Sequence, residues 1–177
     1  MKIMIDLETM STQSDAAIVS IGWASFTDDK IAGSGKVNVA LQSAIDCGMR
    51  VCGKTVGWWL RQSDDARSAL FHPEPGTIES ALWKLTPLLR DAEEVWAKPA
   101  QFDLVILRNA YRACGRPSPW SHKMERDART LVSLAASIGI ADFVGAPTLE
   151  HDAEADAIYQ ASQVLWINAA LSQMKST

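Results

Sequence analysis

The chain has 177 residues, 47% of them hydrophobic and 21% charged, with a formal net charge of −4. That length suits one domain over residues 1–177, and that apolar fraction excludes a disordered chain. The acidic balance excludes the basic whole-surface footprint that duplex DNA requires, but a local basic rim or metal ions can still hold phosphates.

KIMIDLE (2–8) predicts a first strand. After the polar turn MSTQSD, AIVSIGWASF (17–26) predicts a second, rich in β-formers with Gly22 inside. Asp28-Asp29-Lys30 is a hairpin turn and IAGSGKVNVA (31–40) a third strand. Connections this short join antiparallel neighbours. Residues 42–52 are ambiguous. KTVGWWLRQSDDARSALF (54–71) is helical in period despite Gly57, and HPEPG (72–76) breaks it. Thr77 reads as the N-cap of a helix that runs to Arg90 on Ile78, Leu82, Leu85 and Leu89. EEVWAK (93–98) predicts a short strand. FDLVILRNAYRAC (102–114) predicts an amphipathic helix closed by Gly115 and Pro117. RDARTLVSLAASIG (126–139) predicts another, closed by Gly139, and residues 140–150 a loop. HDAEADAIYQASQVLWINAALSQMK (151–175) predicts a long last helix. Three hairpin strands followed by helix–strand–helix units predict an α/β domain with a mixed sheet.

Cys47, Cys52 and Cys114 form no CxxC and no metal-ligand spacing. Their odd number, and an N-terminal apolar run too short for a signal peptide and broken by Asp6, point to a reducing, cytoplasmic setting. No segment reaches the ~18 apolar residues of a membrane span, so no membrane partner is expected.

Asp6 and Glu8 lie two residues apart in the first strand and therefore share a face. Two like charges so placed need a cation, a proton or water to relieve them. Asp103 follows Phe102 at a helix start, His151 opens the last helix, and Asp156 lies one turn inside it. An offset of five residues is ~140° around a helix, so His151 and Asp156 reach one cleft only if His151 sits on the preceding loop or first turn. Four carboxylates meeting at these element ends would repel, and two divalent cations, Mg²⁺ or Mn²⁺, would reverse that. Such a pair suits in-line phosphodiester displacement. His151 is then the natural general base, since histidine titrates near neutral pH.

The ordered set Asp-x-Glu, Phe-Asp and His-x4-Asp resembles the DnaQ-like DEDDh 3′–5′ exonucleases. The flanking text IMIDLETM, IVSIG, TVGWWLRQSDDAR, VWAKPAQFDLVILRNAYRACG, RDARTL and HDAEADAIYQA is similar to the prophage, exoribonuclease-like branch of that superfamily, from residue 3 to about 162. The resemblance implies a ribonuclease-H-like fold with a five-stranded mixed sheet flanked by helices. It implies metal ligands at Asp6, Glu8, Asp103 and Asp156, with Asp6 touching both ions and His151 as base. Its expected activity is hydrolysis of single-stranded DNA or RNA, or of 3′ overhangs, releasing nucleoside 5′-monophosphates from the 3′ end. A homodimer is also implied. Where relatives carry a glycine- and asparagine-rich turn, this chain has Ala97-Lys98-Pro99-Ala100, which could narrow or re-charge the groove beside Asp103.

Other features carry two readings. Of Trp58 and Trp59, at most one can face deep core, and the other could line the cleft and stack a base. Arg61 or Arg67 could reach a phosphate. Met10, next to the metal site, is a candidate wedge against the terminal base, whereas Ile18 and Val19 read as core. Asp127 reads as a cap or local salt bridge ahead of a cleft role, and His72 and His122 as surface residues. Two rivals stand beside an exonuclease of single strands. One keeps the fold and metals but acts on short oligoribonucleotides or a structured RNA end; the other is a catalytically silent binding module on the same fold.

Overall fold

The computed structural model describes residues 1–70 and 74–174. His72, read above as a surface residue, lies outside the described residues. Five strands, β1 (Lys2–Thr9), β2 (Ile18–Phe26), β3 (Ile31–Asn38), β4 (Glu94–Ala97) and β5 (Glu125–Asp127), form one sheet in the order β3-β2-β1-β4-β5. The hairpin strands pair antiparallel, and β4 and β5 add parallel to β1 and to each other. The mixed α/β sheet expected from the sequence is therefore present, with β1 at its centre.

The helices are α1 (Leu41–Asp46), α2 (Gly53–Trp59), α3 (Asp64–Leu70), α4 (Ile78–Arg90), α5 (Ala100–Ala113), α6 (Ala128–Ser137) and α7 (Ala153–Met174). Alternation along β1 sends its side chains two ways. Ile3, Ile5 and Leu7 enter a core with Leu82, Leu85 and Leu89 of α4 and Leu104 and Leu107 of α5. Met4 points to the opposite face and packs with Ala157, Ala161 and Val164 of α7. Asp6 and Glu8 continue the Met4 row and so stand on the α7 side.

Three local expectations change. The single helical pattern over 54–71 is divided into α2 and α3. Between them the Ser63 hydroxyl accepts the Ala66 amide at 3.2 Å, and Arg67 donates to the carbonyls of Leu60 and Gln62. The ambiguous stretch contains α1. The stretch read as one helix over 126–139 opens with β5, which at three residues is too short to show a period, before α6 begins. Thr77 caps α4 as expected, accepting the Ser80 amide.

Candidate active site

The carboxylates are brought together by backbone proximity. Asp6 lies opposite Gly22 in the β1–β2 register. A Cβ at Gly22 would sit 1.9 Å from the carbonyl oxygen of Ala153, so only glycine lets the first turn of α7 rest on β2 beside Asp6. The small buried residues Ala153, Ala157 and Ala161 keep the rest of that face close. From this turn Asp156 reaches Asp6 and Glu8, and one oxygen from each of the three lies within 4.8 Å of the others. Asp103, in the first turn of α5 and 3% exposed, accepts the Leu7 amide of β1 at 3.1 Å. That bond ties α5 to the strand that carries the other carboxylates.

The electrostatics match this crowding. Burial, the Asp156 charge and, to a lesser degree, Asp152 push Asp6 up to about 7, against a hydrogen bond from Gln160 that lowers it. Burial, then the charges of Asp6, Asp156 and Asp103, push Glu8, 9% exposed, up to about 9. Burial, then Asp6, also raises Asp103 well above the ordinary carboxylate range. Burial raises Asp156, with the His151 charge and backbone amide acting against it. Asp6, Glu8 and Asp156, buried or half-buried and crowded together, form a donor set that a divalent cation would relieve, with the buried Asp103 close enough to feel the Asp6 charge. The oxygens of Asp6, Glu8 and Asp156 fit such an ion.

His151 does not open α7. It occupies a left-handed turn at φ 61°, two residues before the helix. That position resolves the 140° divergence expected between His151 and Asp156 if both were helical. Its ring packs edge-on against Trp58 (centroids 4.9 Å apart) and Trp59 (5.9 Å). The two tryptophans divide between core and surface. Trp59 is 4% exposed and donates its indole N–H to the Thr9 carbonyl at 3.0 Å, and Trp58 is 38% exposed. Both border a cleft of about 930 Å³ that reaches Glu8 and also takes in Phe102, Cys52, Lys54 and Thr55.

Met10 does not reach this cleft. It is 3% exposed and sits in the core with Ile18 and Trp59, so the expected base-contacting wedge is corrected to a core side chain. Its amide bonds the Ala17 carbonyl, which turns the chain after the irregularity at Glu8/Thr9. Arg61 follows α2 on the exposed surface and is not among the residues lining the cleft. Arg67 is committed to the α2–α3 turn and to Asp64. Lys98 turns toward α7, donating to Gln163 at 2.6 Å near the Tyr159 ring. Asp127 caps α6 through the Thr130 amide and also accepts the Ala100 amide at 2.8 Å. It thus fixes the start of the helix that carries Asp103.

Sequence reasoning missed Gln160, which donates to Asp6 at 2.7 Å, and Asp152. Asp152 caps α7 by accepting the Glu154 and Ala155 amides, and pairs with Lys36 of β3. The capping residue type one position before α7 was the available signal for Asp152. Gln160, one helical turn after Asp156, offered only i, i+4 spacing.

No curated protein matches the chain significantly. Among solved structures, Exonuclease X in complex with 5′ overhanging duplex DNA is similar, with a TM-score of 0.60 and 18% identity over 98% of this chain and 93% of that one. This likeness supports the ribonuclease-H-like architecture. The family model for the Rv2179c-like 3′–5′ exoribonuclease domain matches residues 1–167. The chain therefore belongs to the Rv2179c-like 3′–5′ exoribonuclease domain family and is a 3′–5′ exonuclease.

Proposed function

We propose that the chain hydrolyses the terminal phosphodiester of single-stranded nucleic acid, or of a 3′ overhang, and releases nucleoside 5′-monophosphates. The family description favours RNA over DNA as the substrate. The observation that carries the reading is the meeting of Asp6, Glu8 and Asp156 within 4.8 Å, beside a histidine and at the edge of an aromatic cleft. Two divalent cations, Mg²⁺ or Mn²⁺, held by Asp6, Glu8, Asp103 and Asp156, would supply charge neutralisation at the phosphate. Asp156 raises Asp6 and Asp6 raises Asp103, and by the family resemblance Asp6 is the carboxylate that would touch both ions.

The protein's own groups do the rest. His151 takes the proton of the attacking water, the new P–O bond forms, and the 3′ oxygen of the penultimate nucleotide leaves. Edge contacts with Trp58 and Trp59 orient the imidazole. The exposed Trp58 and the partly exposed Phe102 offer stacking surfaces for the terminal bases, and Lys54 gives the cleft one cation. We further propose a homodimer, as the family resemblance implies, to be tested by light scattering.

The test is digestion of end-labelled RNA and DNA strands of matched sequence with Mg²⁺ or Mn²⁺. The expected products are mononucleotides and a ladder that shortens from the 3′ end, faster on RNA. Asp6→Ala and excess EDTA should each abolish cleavage. Turnover that survives either one, or internal cuts, would remove this reading. Intact strands under all conditions would favour a silent binding module.

A further inference from the structure

A second group of ligating side chains lies away from the acidic centre. Cys47 is the C-cap of α1, Cys114 is the C-cap of α5, and Glu79 stands in the first turn of α4. They are 32 to 67 residues apart in sequence, which is why no spacing motif announces them. The Cys114 and Cys47 sulfurs are 3.7 Å apart, and Cys47 Sγ lies 3.4 Å from Glu79 Oε1. One ligand atom from each of the three falls within 4.8 Å of the others. Asp103 and Cys114 lie at opposite ends of α5, about 16 Å apart along its axis.

We propose that Cys47, Cys114 and Glu79 form a binding site for a zinc-like divalent cation that clamps α1, α4 and α5 together, with a water in the fourth position. Tetrahedral zinc, with Zn–S near 2.3 Å and Zn–O near 2.0–2.2 Å, has ligand edges of about 3.8 Å between sulfurs and about 3.5–3.7 Å between sulfur and oxygen. The observed 3.7 Å between sulfurs lies within about 0.1 Å of its edge, and the observed 3.4 Å between sulfur and oxygen within about 0.3 Å of its own. A dithiol–carboxylate set also selects a softer ion than the four carboxylates do.

The carbonyl end of α5, where Cys114 sits, carries partial negative charge. Glu79 is held ionised by its own backbone amide, the Cys47 thiol and Thr77. Arg116 opposes a cation here, but its guanidinium is drawn over the Trp83 ring, 5.3 Å from the centroid. Binding displaces the two thiol protons, which leave to solvent.

The experiment is titration of the fully reduced full-length chain with Cd²⁺, reading the ultraviolet thiolate-to-cadmium charge-transfer band. Oxygen ligands do not produce that band, so cadmium held by the acidic centre is silent, and the readout needs no substrate. The wild type should show a band that saturates at one equivalent, and Cys52→Ser should keep it. Cys47→Ser and Cys114→Ser should lose it, and Glu79→Gln should require about tenfold more cadmium or beyond. Absence of the band in wild type with titratable thiols, or its persistence in Cys47→Ser, overturns the proposal. So does a chain that forms a Cys47–Cys114 disulfide in air and, once reduced, binds no cadmium.

Discussion

Glu8 and Asp6 make the stability of the metal-free chain depend on pH in an unusual direction. A buried carboxyl whose folded value is raised binds its proton more tightly in the native state than in the unfolded one. Stability is then full below the unfolded value and is lost as pH rises through the folded one. For Glu8 that window runs from 4.5 to about 9, and for Asp6 from 3.8 to about 7. In EDTA, the urea midpoint should fall with rising pH across this window. Glu8→Gln should flatten the decline, and Mg²⁺ or Mn²⁺ should restore stability most at the alkaline end. A midpoint that climbs with pH in EDTA would mean that neither burial nor the neighbouring charges raise these carboxyls in the folded chain. The two tryptophans separate at this same scale. Trp58→Ala should weaken substrate binding by about 1–3 kcal/mol, read as a raised KM, with little change in melting temperature. Trp59→Ala removes a core ring and its bond to Thr9, so it should cost about 3–5 kcal/mol of stability. Equal effects of the two substitutions on melting would contradict the division of roles.

The element that most controls the site is α7, and what seats it is a position with no side chain. Gly22→Ala places a methyl group against the Ala153 backbone, so α7 must rise from β2. Overpacking of this kind costs about 1–3 kcal/mol. The loss of activity should be far larger, because His151 and Asp156 both depend on that turn. A variant that folds yet has lost at least about a hundredfold in kcat is the expected outcome, and near-normal turnover would show that the close approach is dispensable. The sequence made the acids, the histidine and most elements legible because periodicity, caps and the ordered motif are local signals. It could not show that Gly22 faces Ala153, or that Gln160 steadies Asp6, because those contacts join segments more than 100 residues apart. Met10 was misread for a related reason: proximity to Glu8 in sequence says nothing of facing once the β1 register shifts between Glu8 and Thr9. β5 and the α2–α3 break escaped because three residues show no period and a helical repeat continues across a tight turn.

At the scale of the whole molecule, net charge constrains how substrate is held. With 21 acidic against 17 basic side chains, the chain carries a net negative charge that repels a polyanion at long range. Among the residues lining the cleft, Lys54 is the cation. Each phosphate neutralised by a protein cation releases counterions, and for single strands the logarithm of affinity falls with that of salt at a slope of about −0.7 per contact. A chain that grips one or two phosphates should therefore lose less than about tenfold in affinity between roughly 50 and 200 mM monovalent salt. The divalent ions and the stacking on Trp58 that the proposed function invokes would not draw on that release. Binding of a short 3′-ended RNA to the Asp103→Asn variant, which the proposed function expects to be catalytically silent, followed by fluorescence anisotropy across that salt range, measures the slope. A shallow line fits recognition confined to the strand end. A slope equivalent to five or more contacts would demand a basic surface, and a second subunit aligning its own cations with the cleft would be the first place to seek it.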